Sequence, residues 1–166
     1  ADALVGKEDG ALMQLFAGLN PERIMAASIA TGMSRYALGK AKKYVNERQV
    51  WGQPIGAHQA IAHPLATAHI EMELARLMMQ KAATLYDLGD DMGAGEAANM
   101  AKYASAEASV KAVDAAIQSH GGNGFASEYG LAILLASSRL SRVAPVSREM
   151  VLNFVAQHSL GLPKSY

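Results

Sequence analysis

Alanine recurs at helical spacing through much of this 166-residue sequence, most densely between residues 96 and 119. In that segment alanines stand at close intervals, at Ala97, Ala101, Ala104, Ala108, Ala112, Ala115 and Ala116. Alanine has the highest helix propensity, and its small side chain lets two helices approach closely. Stretches in which Val, Ile, Thr and aromatic residues alternate, as in strands, are nearly missing. The sequence therefore predicts an all-α fold.

Apolar residues recur at helical spacing in five segments, separated by stretches rich in glycine or proline. The predicted helices are, approximately, Pro21 to Arg48, Gln59 to Leu88, Glu96 to Ser119, Tyr129 to Ser138 and Ser147 to His158. Asn20 is expected to cap the first helix and Pro21 to open it. Long antiparallel helices joined by short loops favour an up-down-up-down four-helix bundle, here with short additional helices.

Charge and composition exclude several classes of function. The 15 basic and 15 acidic residues give a formal net charge of zero, so no strong field attracts a nucleic acid or an anionic membrane. Cysteine is absent, which excludes disulfide and thiolate chemistry. His58, His63 and His69 lack the spacing of a metal-binding helix, so no metal is expected. Without a signal-peptide pattern or an apolar stretch of membrane-spanning length, we expect a soluble, intracellular protein.

Three short stretches allow both a structural and a functional interpretation. HGGNGF, residues 120–125, is typical of a helix end in which Gly121 is left-handed, but bare backbone also lets a ligand approach. Arg48, Trp51 and Gln59 surround a tight loop that either is a surface turn with a buried tryptophan or holds a pyrophosphate and a planar ring. Glu22, in the predicted first turn, either complements the helix dipole or has a chemical role.

Taken together, four motifs resemble the acyl-CoA dehydrogenase family. They are LVGKEDG (4–10), LNPERIMAASIATG (19–32), ERQVWGQPIGAHQAI (47–61) and IQSHGGNGF (117–125). The last two are similar to the family patterns ERxxFGxPIxxxQ and QxxGGxGF, with Trp51 where phenylalanine is usual. The resemblance implies that residues 1–18 are the end of a middle β-domain with its connecting segment, and that residues 19–166 are the C-terminal helical-bundle domain.

The resemblance implies an FAD-dependent dehydrogenation of an acyl-CoA thioester, in which a carboxylate removes the α-proton and flavin N5 accepts a β-hydride. It also implies an electron-transfer flavoprotein as electron acceptor, and a homodimer or homotetramer in the cytoplasm or, in a eukaryote, the mitochondrial matrix. The residues matching the family's FAD contacts, several of them made across a subunit interface, are Arg48, Trp51, Gln59, Gln118, Gly121 and Gly122.

The position of the catalytic base departs from the usual family pattern. Many members carry the glutamate in a YEGTSQI-like segment, where this sequence has Pro145. A branch that includes isovaleryl-CoA dehydrogenase carries it early in the first long helix, immediately before an arginine, and Glu22 precedes Arg23 here. The resemblance therefore implies Glu22 as base, with Asn20 and Arg23 near the substrate and the Val146 backbone amide as a donor to the thioester carbonyl.

Two other functions remain open at this point. A non-catalytic helical oligomerisation module is favoured by the missing late glutamate and by alanine-rich faces that can assemble on their own. A flavin oxidase on the same fold would consume oxygen without an electron-transfer partner. We further expect residues 1–166 alone to be inactive, because the resemblance implies that the domain holding the isoalloxazine ring is not part of this chain.

Overall fold

Five α-helices and one short hairpin make up the computed structural model, which describes residues 3–164. The elements are α1 (Ala11–Glu47), β1 (Gln49–Val50), β2 (Gln53–Pro54), α2 (Gln59–Asp87), α3 (Asp91–His120), α4 (Leu134–Leu140) and α5 (Arg148–Phe154). The prediction of an all-α fold is confirmed. Residues 1, 2, 165 and 166, at the ends of the two predicted domain segments, lie outside the described residues.

The apolar core shows how the three long helices run. Ala27 of α1 packs with Ala82, near the end of α2, and with Ala98, near the start of α3. Ala37, later in α1, packs with Val113, later in α3. Thus α1 and α3 are parallel and α2 is antiparallel to both. The short helices α4 and α5 follow and pack against α3, next to the three long helices.

Helix α3 is the centre of the bundle, because α1 and α2 pack against two of its sides. Its buried residues are nearly all small, and they include Ala94, Ala97, Ala98, Ala101, Ser105, Ala106, Ala108, Ser109, Ala112 and Ala116. Small side chains leave room for the neighbouring backbones to approach, so the alanine pattern of the sequence is the pattern of this interface. Of the helices between residues 3 and 164, not one combines the length and apolar character needed to cross a bilayer.

Helix α1 begins earlier than the sequence indicates. Asn20 is not its N-cap, because the helix starts at Ala11 and continues through Pro21. The preceding residues, ALMQLFAGL, include several strong helix formers, and an internal proline removes only one hydrogen-bond donor from the ladder. The expected division at residues 18 and 19 therefore falls within a continuous helix, and the assignment of two domain segments stays a prediction.

Helix α3 also begins earlier than expected, at Asp91 instead of Glu96. The stretch from Gly89 to Gly95 looks like a glycine-rich loop, but the Asp90 side chain accepts a hydrogen bond from the Gly93 amide over 2.9 Å and caps the helix. Gly95 is then a contact point between helices, because a Cβ placed on it would lie 3.2 Å from the Asn20 side chain. By contrast, Gly32 and Gly39 are exposed, and a Cβ placed on either would meet nothing within 4 Å.

An aromatic cluster covers the C-terminal end of α3. The His120 ring stacks on Tyr44 with 4.1 Å between centroids and meets Tyr129 edge-on. Its Nδ1 lies 2.7 Å from the Ala116 carbonyl, and His120 is 4% exposed. Burial lowers the pKa of His120; the bond to Ala116 opposes this shift and the charge of Lys40 adds to it. The neutral imidazole is therefore the form that the fold stabilises.

We expect Ser109→Ala to stabilise the fold by about 1 kcal/mol. Ser109 is fully buried in α3, and its hydroxyl has no hydrogen-bond partner within the described chain. The matched control is Ser105→Ala, because the buried Ser105 hydroxyl donates to the Lys102 carbonyl over 3.2 Å and its removal should not stabilise. Urea unfolding of the three chains measures the difference. Equal free energies of unfolding for wild type and Ser109→Ala would contradict the expectation.

We expect the thermal stability of the chain to fall more steeply with acidification when His120 is present. The folded pKa of His120 lies below its unfolded value of about 6.5, so its contribution is complete above that pH and is lost as the pH falls towards the folded pKa. Unfolding midpoints of wild type and His120→Gln, measured from about pH 7.5 to about pH 5 so that the series spans the unfolded pKa, test this. His69→Gln, at an exposed position, is the control. Parallel pH profiles for wild type and His120→Gln would contradict it.

Candidate functional site

One surface cavity brings together four of the six residues that the sequence assigned to a cofactor. Arg48, Gln118, Gly121 and Gly122 line a cavity of about 520 Å³ at the end of α3. The rest of its lining consists of Tyr44, Val50, Ile55, Ser119, His120 and Asn123. Arg48 enters from the C-terminal end of α1, and the glycines come from the turn after α3. The cavity therefore combines a guanidinium, an amide and exposed backbone.

The glycine turn is shaped by two local requirements. Gly121 caps α3 with φ 58° and ψ −136°, a conformation that side chains strongly disfavour, so its expected positive φ is confirmed. Gly124 passes so close to α3 that a Cβ would lie 2.6 Å from the Ile117 carbonyl oxygen. A Cβ on Gly121 or Gly122, in contrast, would meet nothing within 4 Å. The backbone of these two residues faces open space that a ligand can occupy.

Trp51 and Gln59 do not line this cavity. Trp51 sits at the tip of the β1–β2 hairpin with φ 54°, followed by Gly52 with φ 79°. Positive φ at both central residues suits a tight hairpin but is unusual for tryptophan. The ring is 87% exposed and meets the His58 ring edge-on at 5.5 Å, so a buried tryptophan is excluded. Gln59, the first residue of α2, is also exposed.

The Glu22–Arg23 pair lies well inside α1, so Glu22 is not at a helix N-terminus and the helix-dipole interpretation is wrong. The Glu22 side chain is exposed, whereas Arg23 is 5% exposed. Arg23 donates from Nη1 to the Asn20 side chain over 3.1 Å. Burial lowers the pKa of Arg23 and the charge of Glu22 opposes that shift, so the two groups are electrostatically linked.

Lys102 is a buried cation that is hydrogen-bonded to the loop of Val146, and sequence reasoning missed it. Its ammonium donates to the main-chain carbonyl of Val146, although Lys102 is only 2% exposed. Burial is the main cause that lowers its pKa, the charge of Arg23 lowers it further, and Glu149 and Glu107 act in the opposite direction. The sequence carried one signal of this burial, since Lys102 falls among the alanines and serines by which α3 packs against the other helices. Arg23, which binds Asn20, and Lys102, which binds Val146, are thus two buried cations, and the charge of Arg23 lowers the pKa of Lys102.

Glu107 holds the segment before α5 against α3. Its carboxylate accepts from Arg142 over 2.7 Å and from Arg148 over 3.4 Å. The Arg148 amide in turn donates to the Arg142 carbonyl, which closes the loop between them. Val146 lies inside this loop, so one carboxylate fixes both ends of the segment that carries it.

A second cavity of about 520 Å³ lies between α2 and α3 and shares Gln118 and Ser119 with the first. His63, Lys111 and Asp114 contribute its charged or titratable side chains. Within residues 3–164, no three His, Asp or Glu residues are grouped so that they could hold a metal ion.

Comparison with known proteins shows which family this domain is similar to. The family model for the acyl-CoA dehydrogenase C-terminal domain matches residues 9–160. The chain is 71% identical over 166 residues to acyl-CoA dehydrogenase FadE12 of Mycobacterium tuberculosis, covering all of this chain and 43% of that protein. The butyryl-CoA dehydrogenase structure from Megasphaera elsdenii superposes with a TM-score of 0.84 at 26% identity, covering 93% of this chain and 40% of that one.

A second similar structure is PigA with FAD and proline, with a TM-score of 0.80 at 26% identity, covering 85% of this chain and 36% of that chain. The chain spans less than half the length of the FadE12 protein. The match of the C-terminal domain model to residues 9–160 extends over nearly the whole chain, from the turn before α1 to the end of the last helical turn. The chain therefore belongs to the acyl-CoA dehydrogenase family, through the C-terminal helical domain.

Proposed function

We propose that this chain is the C-terminal domain of an FAD-dependent acyl-CoA dehydrogenase that introduces a double bond between the α- and β-carbons of an acyl-CoA thioester. The observation that supports this most is the convergence of Arg48, Gln118, Gly121 and Gly122 on one cavity. These residues come from distant parts of the sequence and are the ones that match the family's FAD contacts. The proposal concerns the whole protein, of which this chain is one part.

The chemistry of the cavity fits a dinucleotide. Arg48 offers a planar, permanently charged donor set for pyrophosphate oxygens, and Gln118 offers an amide. The open backbone at Gly121 and Gly122 lets a ligand approach closely. We propose Trp51 and Gln59 as further contacts at the rim, since the hairpin that carries Trp51 adjoins Arg48. Trp51 is held exposed at an unfavourable φ, as is common for residues with a binding role.

FAD held by Arg48, Gln118 and the glycine turn would supply the oxidant, a flavin that accepts the hydride from the β-carbon. In the chain itself, we propose Glu22 as the base that takes the α-proton. Its exposed carboxylate is free to approach a substrate that covers this part of α1, and the next residue, Arg23, provides a buried positive charge. Pro145 has no group that accepts a proton, so the usual position of the base is unavailable here.

The surroundings of Glu22 provide the remaining roles. We propose that Arg23 acts mainly by orienting Asn20, to which it is hydrogen-bonded, since Arg23 itself is 5% exposed. Asn20 is then the polar group that contacts the acyl-CoA. The Val146 backbone amide is proposed as a donor to the thioester carbonyl, where it would stabilise the negative charge that develops as the α-proton leaves.

The partners of the whole protein are also proposals. We propose an electron-transfer flavoprotein as electron acceptor, a homodimer or homotetramer as the assembly, and the cytoplasm as the compartment. The oxidase and the non-catalytic module are distinguished from the dehydrogenase by two observations on the full-length protein. A dehydrogenase has a flavin absorbance band and needs an added electron acceptor. An oxidase consumes oxygen without that acceptor, and a non-catalytic module has no flavin band.

We expect Glu22→Gln in the full-length protein to reduce acyl-CoA dehydrogenation by a factor on the order of 100 to 10,000. The amide keeps the shape of the side chain but accepts no proton, so bound FAD should be retained. Turnover with an artificial electron acceptor and the flavin absorbance spectrum measure the two effects. Glu47→Gln, an exposed acid near the end of the same helix, is the control. Full activity in Glu22→Gln would rule out Glu22 as the base.

We expect Arg48→Met in the full-length protein to weaken FAD binding by about tenfold to a hundredfold, the usual effect of losing hydrogen bonds from a charged group. The dissociation constant, measured by reconstituting the apoprotein with FAD, tests this. Arg35→Met, an exposed arginine on α1 that does not line the cavity, should bind FAD as wild type does. Unchanged FAD affinity in Arg48→Met would remove the cavity from the proposed cofactor site.

A further inference from the structure

Lys102 is a buried cation without a close anionic partner. It is 2% exposed, and no carboxylate of the described residues lies within 4 Å of its ammonium. Its neighbours on α3 are mainly alanine and serine. A buried ammonium is costly unless its donors are satisfied, so the position of this lysine needs a reason beyond packing.

The hydrogen bond to the Val146 carbonyl joins two parts of the chain that are 44 residues apart. Glu107, five positions further along α3, binds Arg142 and Arg148 on either side of Val146. The ends of the loop are therefore held by ion pairs, and its middle is held by Lys102. Because Lys102 binds the main-chain carbonyl, it holds the peptide unit between Val146 and Ser147 whatever the side chain at 146. The Val146 amide belongs to the preceding peptide unit and is restrained through the shared Cα.

Lys102 also adjoins the Glu22 segment. Ala27, one turn beyond Arg23 on α1, packs in one cluster with Ala98 and Ala101, next to Lys102 on α3, and the charge of Arg23 lowers the pKa of Lys102. Lys102 therefore lies near the segment of the proposed base and is hydrogen-bonded to the loop that carries the proposed thioester donor. At 2% exposure it does not reach a substrate itself, so its effect must pass through Val146.

We propose that Lys102 is a positioning residue that fixes the Val146 backbone relative to Glu22, so that the Val146 amide polarises the thioester carbonyl while Glu22 removes the α-proton. This inference rests on the proposed function and adds to it a residue that does not touch the substrate. Loss of Lys102 should therefore reduce the chemical step more than it reduces acyl-CoA or FAD binding.

The test uses the full-length holoenzyme with Lys102→Met, which keeps an unbranched apolar stem but has no donor. We expect kcat to fall about tenfold or more, with KM and FAD content close to wild type. The second readout is the infrared carbonyl band of a bound acyl-CoA with sulfur at the β position. In the wild-type enzyme we expect this band at a lower frequency than in the free thioester. In Lys102→Met it should move back towards the frequency of the free thioester. Lys111→Met, on the same helix but paired with Glu71 at the surface, should change neither.

Lys102→Gln provides an internal rescue, because its amide can donate to the carbonyl, and it should recover part of the band shift. Should both variants fail to fold, a crystal structure of the wild-type enzyme with the same sulfur-containing acyl-CoA still tests the inference. A thioester oxygen beyond hydrogen-bonding distance of the Val146 amide overturns the inference, and one within that distance, with Lys102 still on the Val146 carbonyl, supports it.

Three results separate this inference from the proposed function. Absence of acyl-CoA turnover in the wild-type enzyme contradicts the proposed function itself. Turnover in wild type with an unchanged kcat and carbonyl band in folded Lys102→Met overturns only the role of Lys102. A lower stability of Lys102→Met with an unchanged band also overturns it, because it shows a structural role alone.

Discussion

The close packing of α3 between α1 and α2 is the constraint on which the rest of the structure depends. Most of its buried side chains are alanine or serine, so three backbones can approach closely. Because α3 packs beside α1, Gly121 and Gly122 at the end of α3 line the same cavity as Arg48 at the end of α1. It also buries Lys102 between Arg23 and Val146. The candidate cofactor cavity and the surroundings of Lys102 both depend on this helix interface.

The sequence predicts the fold class, the course of α2 and the role of Gly121, because these depend on local periodicity and on backbone conformation. It misplaces the starts of α1 and α3, because capping signals are local and ambiguous. Asn20 and Pro21 look like a helix start but lie inside one. Asp90 caps α3 where glycines suggest a loop. The hairpin at Trp51 was missed since two-residue strands leave almost no pattern.

The sequence motifs predicted four of the residues that line the candidate cofactor cavity. They did not predict that these residues lie together, because this depends on how the helices pack. Lys102 could not be found in the same way. Its position among the small residues of α3 is a weak signal, and the burial that distinguishes it from a surface lysine depends on α1 and the loop before α5. Because Glu22 lies inside α1, the charge next to it is that of Arg23, its neighbour in sequence, and not that of a helix end.

The central claim is that Glu22 removes the α-proton, and hydrogen exchange at the α-carbon tests it most directly. An acyl-CoA with sulfur at the β position has no β-carbon from which a hydride can leave, so proton removal can be observed alone. In deuterated water, mass spectrometry should show deuterium entering the α-position with the full-length wild-type enzyme and almost none with Glu22→Gln. Exchange at the wild-type rate in Glu22→Gln would contradict the account.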